Sequence, residues 1–272
     1  MFKFNFVVDE NILAIMLIYD TKRTNHVLSN EFANYLWDKY HMDYITIQRK
    51  RVSKDVIDKD ILREVKNQDF FKKIVEDAEE NAKRIENNLK EKQEGIEEFL
   101  SKILKYNNPL SNQTAYILPP YLCYGFSTSR VFPNSFVWGH QRGLKNINYD
   151  LVYIYHEALH SLFPVNNLYE TVVENIADIE LGRFLNCPNN LQDVHDETRL
   201  IHAKILPYWN LYLDRSRKEI EETQNYLNVD YDIDKFEPMR DVLKNMNIFE
   251  FGKWLENQDL EKQKLVFTYK LL

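Results

Sequence analysis

Asp150-Leu-Val-Tyr-Ile-Tyr-His-Glu-Ala-Leu-His-Ser-Leu-Phe-Pro164 is the stretch whose reading decides the fold. It contains an HExxH pattern at His156, Glu157 and His160. On an α-helix, positions i and i+4 lie one above the other on the same face. Two imidazoles at that spacing can grip one metal ion, and the glutamate between them can reach a water on that ion. Asp150 reads as an N-cap for the helix, and Pro164 lies just past its end.

Two histidines leave a catalytic zinc one protein ligand short, because such sites keep three ligands and an open position. The sequence after Pro164 predicts a second helix, from Asn167 to about Asn186, ahead of Pro188. Its carboxylates Glu170, Glu174 and Asp178 recur every four residues along one face. Glu170 stands three residues after Asn167, the spacing of a capping box. Glu174 and His156 come level if the short connection makes an antiparallel helix pair. Glu174 is therefore the expected third ligand, with Glu170 as the competing one. Asp178, one turn further on, could accept the free N–H of a ligating histidine.

Tyr153-Ile-Tyr-His-Glu-Ala-Leu-His-Ser-Leu162 followed by Glu174-Asn-Ile-Ala-Asp178 resembles the gluzincin group of zinc metallopeptidases, to which thermolysin belongs. The resemblance implies one Zn2+ held by His156, His160 and Glu174. It implies a peptide or protein substrate, with Glu157 taking a proton from the attacking water and passing it to the leaving amine. It also implies an extended substrate laid along a sheet edge near the catalytic helix, for which Val137-Trp-Gly-His-Gln141 is the candidate. An oxyanion donor is expected too. His202 and Tyr208 lead here, with His195 and Arg199 on the same helical face as His202. The chain departs from the group in its spacing: 13 residues separate His160 from Glu174, fewer than in thermolysin. Residues 1–110 match no peptidase domain.

The rest of the sequence surrounds this core. Phe2, Phe4, Phe6 and Val8 alternate with other residues as in a strand with one apolar face. Helices are expected over 11–19 and 30–40, and a short strand over 44–47. Residues 55–106 read as charged helix. Its seam of Val75, Ala78, Ala82, Ile85, Leu89, Ile96, Phe99 and Ile103 has heptad-like steps. That seam suits a long helix lying across its own protein, or else a surface for a partner or for self-association through residues 69–106. Asn107-Asn-Pro109 ends the charged region, and short strands are expected at 115–118, 121–126 and 135–139. Further helices are expected over 194–227, with a kink or break at Pro207, and over 238–256, then a final strand over 264–270.

Composition sets the outer limits. The 272 residues are 44% hydrophobic and include only 6 glycines and 8 prolines, which favours helix. A net charge of −7 argues against nucleic acid or an anionic membrane as partner. Arg49-Lys50-Arg51 with Lys54 is the one basic cluster, and it reads as solvated. Cys123 and Cys187 form no CxxC pattern and suit a reducing compartment. The first residues lack a secretory pattern, and Ile12–Tyr19 is too short to span a bilayer, so a cytoplasmic location is expected.

The expected fold is α+β and predominantly helical, with a small β-sheet packed on the HExxH helix. Region 1–110 forms a helical N-terminal part, and 111–272 a zincin-like metallopeptidase region. The expected function is zinc-dependent peptide-bond hydrolysis. Two alternatives stand beside it: a regulatory or toxin-type protein acting on one partner, and a non-catalytic helical interaction protein.

Overall fold

A computed structural model describes residues 2–19, 59–106, 108, 110–122, 125–127, 134–139, 146–187, 196–227, 229–258 and 260. The expected elements at 30–40, 44–47 and 264–270, the basic cluster at 49–54, Cys123, His140 and His195 lie outside the described residues. The chain divides into two compact units. One holds residues 2–92 and 109–161; the other holds 93–108 and 162–272, with residue 1. One crossing between them falls at Asn108–Pro109, where the sequence changes from charged to aromatic.

The unit of residues 2–92 and 109–161 is built on a four-stranded sheet. Strand β1 (Lys3–Val7) pairs parallel with β2 (Asn112–Ile117), and β2 pairs parallel with β4 (Ser135–Trp138). Strand β3 (Gly125–Ser127) lies on the far side of β4, antiparallel to it. Side chains alternate across a strand, and here the alternation serves two layers. Phe4 and Phe136 meet Tyr155 or each other on one face, with ring centroids 5.1 Å (Phe4–Tyr155) and 6.4 Å (Phe4–Phe136) apart. Val137 joins the core formed with helix α1 (Glu10–Tyr19). The Asp9 carboxylate starts α1 by accepting the N–H groups of Asn11 and Ile12. Residues Ile12 to Leu17 of α1 are all buried, so this helix has no water-facing stripe over that span. Helix α2 (Lys59–Lys66) and the first turns of α3 (Asp69–Leu104) complete the core through Leu62, Val65, Phe71, Ile74 and Ala78.

The α3 seam is covered by the chain itself. Ala78, Ile85, Leu89, Ile96 and Ile103 are buried, and Lys92 fills the gap in the repeat by donating to Asn88 at 2.7 Å. The HExxH stretch forms helix α4 (Asn148–Leu159), which packs on β3 and β4 and runs into a 3-10 turn at His160–Leu162. A mostly helical α+β fold with a small sheet against the HExxH helix is thus what these residues build.

The other unit is all helical among its described residues. Helix α5 (Asn167–Glu174), a π-helical turn (Asn175–Leu181) and α6 (Gly182–Phe184) make one continuous stretch. The sequence predicts that stretch as a plain α-helix. It ends in a Schellman motif: Cys187 N–H bonds Gly182 C=O, Asn186 N–H bonds Arg183 C=O, and Asn186 takes φ 56°. Cys187 is a buried free thiol. The turn-back brings the Cys187 carbonyl oxygen to 2.7 Å from where a Cβ on Gly182 would sit. Gly182→Ala should gain up to about 1 kcal/mol of helix propensity but lose about 1–3 kcal/mol to the clash with backbone. A net loss of stability in urea unfolding is the expected result, and a stabilised variant would contradict it.

Helix α7 (Asp196–Tyr212) runs through Pro207 rather than breaking there. Its end comes at a second Schellman motif, where Asp214 takes φ 52° and Arg215 N–H returns to Asn210 C=O. Helix α8 (Arg217–Leu227) follows. The single helix expected over 238–256 is two pieces, α9 (Arg240–Leu243) and α10 (Ile248–Glu256). Asn247 and Glu250 form a capping box that starts α10 afresh. The core of this unit stacks Trp209 on Tyr212 and Tyr212 on Phe251, at 5.3 and 4.5 Å between centroids. Beside it Glu180 takes a hydrogen bond from Trp209 Nε1 at 3.1 Å and an ion pair from Arg215 at 2.5 Å.

Candidate metal centre

Helix α4 is fixed on the sheet by its own aromatics. Tyr153 stacks on Trp138 at 5.2 Å, and Tyr155 meets Phe2 edge-on at 6.3 Å. Asp150 is not the N-cap that its position in the sequence suggests. The helix begins two residues earlier, Ile147 holds the cap position, and Asp150 lies in the first turn, fully buried. Its carboxylate accepts Trp138 Nε1–H at 3.0 Å and pairs with Arg84 of α3 at 2.7 Å. Arg84 is itself oriented by Asn81 Oδ1, which takes two of its N–H groups at 2.6 and 3.1 Å. At the other end of the helix, buried Gln113 of β2 donates to Ser161 Oγ at 2.9 Å and to Ser111 Oγ at 2.6 Å. One end of the helix is thus tied to β4 and α3, and the other to β2.

Between these anchors stand the two histidines. His156 Nε2 and His160 Nε2 are 3.1 Å apart, with their rings inclined at 73°. At that distance one ring can donate its N–H to the other, or both lone pairs can turn to one cation. Two nitrogens bound to a single tetrahedral zinc at about 2.0–2.1 Å would lie about 3.3–3.4 Å apart. The pair therefore fits two ligands of one zinc with a shift of a few tenths of an ångström. His156 is buried and His160 half-buried, and Glu157 between them in sequence is half-buried.

The expected carboxylates sit in the other unit. Helix α5 is capped by Asn166, whose side chain accepts Tyr169 N–H at 3.0 Å, and not by Asn167. The capping box expected for Glu170 is therefore not what starts this helix. Glu174 is the last residue of α5 and is 1% exposed. Its Oε2 lies 2.8 Å from His202 Nε2 on α7, a side chain equally buried. Asp178 is buried within the π-helical turn. π-helical turns are rare and are frequent at functional sites. Of the two expected oxyanion donors, His202 faces Glu174. Tyr208 packs its ring against Phe236 and Trp254, at 5.2 and 5.1 Å.

The expected substrate edge is corrected by the strand order. Val137 and Trp138 belong to β4, which is paired on both sides and buried throughout. The edge strands of the described sheet are β1 and β3, and β3, Gly125–Ser127, packs on the HExxH helix. Sequence reasoning missed the Arg84–Asp150–Trp138 anchor and the Gln113–Ser161 tie. Both join residues far apart in the chain, and neither leaves a periodic signal.

No family model, curated protein or solved structure matches this chain.

Proposed function

We propose that the chain is a zinc-dependent peptidase whose metal is held by His156, His160 and Glu174. The observation that carries this reading is the HExxH pair itself: two imidazole nitrogens 3.1 Å apart on successive turns of an anchored helix. The ExxxD spacing of Glu174 and Asp178, on the helical stretch that follows, supports it. Glu170, one turn earlier on that stretch, is the rival for the third place. Bound zinc would supply Lewis-acid polarisation of the scissile carbonyl and a lowered pKa for water. Glu157 takes the proton from the attacking water and hands it to the leaving amine. β3, at an edge of the described sheet, takes an extended peptide by β-augmentation. We place the protein in the cytoplasm, in keeping with its two cysteines outside any CxxC pattern. No helix among the described residues is long and apolar enough to cross a membrane.

The test is metal analysis of purified protein, followed by chelation and zinc add-back. One equivalent of zinc that restores cleavage of a peptide mixture is expected. A protein that holds no zinc and takes none up would sink the reading. Glu174→Gln should weaken zinc by more than the roughly 10–100-fold that a lost outer partner costs, and Glu170→Gln by less. The reverse order, measured by competition with a chelator, would transfer the third place to Glu170.

A further inference from the structure

The Glu174–His202 contact gives His202 a task other than the oxyanion donor its sequence position suggested. Both side chains are 1% exposed, and their 2.8 Å separation is that of a charge-assisted hydrogen bond. A carboxylate so deeply buried is costly unless donors hold it. Helix α7, which carries His202, packs along α5, which carries Glu174, so backbone contacts set the pair's register. The π-helical turn begins at the very next residue, Asn175. Asn175 is 1% exposed and donates to Thr171 C=O at 3.0 Å, which ties the turn back onto α5. Glu174 is thus held from its backbone side by the helix, and its carboxylate meets the His202 imidazole.

We propose that His202 is a positioning residue for Glu174: its Nε2–H holds Oε2 and fixes the plane in which the carboxylate meets the metal. The inference rests on Glu174 being the third ligand. Partners of ligating groups orient those groups and tune their basicity. A merely structural His202 would support folding and leave metal affinity alone.

Full-length protein is titrated with zinc against a competing chelator, wild type beside His202→Phe, His202→Gln, Glu174→Gln and the His202→Phe/Glu174→Gln double variant. His202→Phe keeps the ring but removes the donor, and should weaken zinc about 10–100-fold. His202→Gln keeps an N–H and should recover most of that loss. The double variant should bind no more weakly than Glu174→Gln alone, because His202 acts through Glu174. Cobalt-substituted wild type and His202→Phe should differ in their visible absorption, which reports ligand geometry. A wild type that takes up no zinc sinks the proposed function, and the inference with it. Zinc binding by the wild type with His202→Phe unchanged, or with the two losses adding, overturns the inference alone. Should His202→Phe not fold, His202→Ala with added imidazole replaces it: restored zinc affinity supports the assignment, and no restoration overturns it.

Discussion

Glu157→Gln is expected to lower the rate of peptide hydrolysis by about 10²–10⁴-fold, the usual worth of a positioned general base, while zinc content stays at the wild-type level. The substitution keeps the side chain's size and removes only its capacity to take a proton. Glu157 is half-buried on a helix tied at one end through Asp150 and at the other through Ser161, so the change has little structural reason to unfold the protein. Peptide cleavage followed with and without added zinc, alongside metal analysis, separates three results. Lost turnover with retained zinc fits a base. Unchanged turnover removes Glu157 from the chemistry. Unchanged binding of a single partner protein by a variant that never cleaved would favour the regulatory reading instead.

The largest stability effect should come from Arg84→Leu. Asp150 is wholly buried and meets Arg84 at 2.7 Å, and removal of the guanidinium takes the opposite charge away from a buried carboxylate that also accepts Trp138 Nε1–H. Breaking a buried pair costs about 3–5 kcal/mol; Arg84 keeps about a third of its side chain in water, so about 2–3 kcal/mol is expected. The double variant Arg84→Leu/Asp150→Leu should recover most of it, because two apolar side chains replace the pair without leaving a charge behind. Urea unfolding of the three variants measures both values. A double variant as unstable as Arg84→Leu would mean that Asp150 is needed for Trp138 rather than for the charge. Asp150 lies six residues before His156 on the same helix, so the anchor also bears on how the histidines are presented.

The parts of this architecture that are legible in the sequence are those written in local periodicity. β1, α1, the long α3 and the HExxH helix follow from alternation, from apolar runs and from i, i+4 spacing, each a property of residues a few positions apart. Caps are less legible. Asp150 has the residue type of an N-cap but does not hold that position, and Asn166 rather than its neighbour Asn167 caps α5, because several residues near a helix start can serve and only backbone geometry selects one. The passage of α7 through Pro207 and its stop at Asp214 show the same limit. A proline's local cost is outweighed when the helix buries its own Trp209 and Tyr212, while an αL residue ends the helix cleanly.

The sequence alone determined that His156 and His160 share one helix face, because a spacing of four residues on a helix places two side chains one above the other. The 3.1 Å between their Nε2 atoms needs that spacing together with the rotamer that each ring takes. What only the tertiary structure decided is everything joining distant residues. Arg84 closes on Asp150 and Gln113 on Ser161; β3 rather than β4 lies at the sheet edge; and His202 reaches Glu174 across 28 positions of chain. Those contacts depend on which helix packs against which and in what register. Burial, not local spacing, sets that outcome, since a carboxylate as enclosed as Asp150 or Glu174 is tolerated only where packing delivers a donor to it.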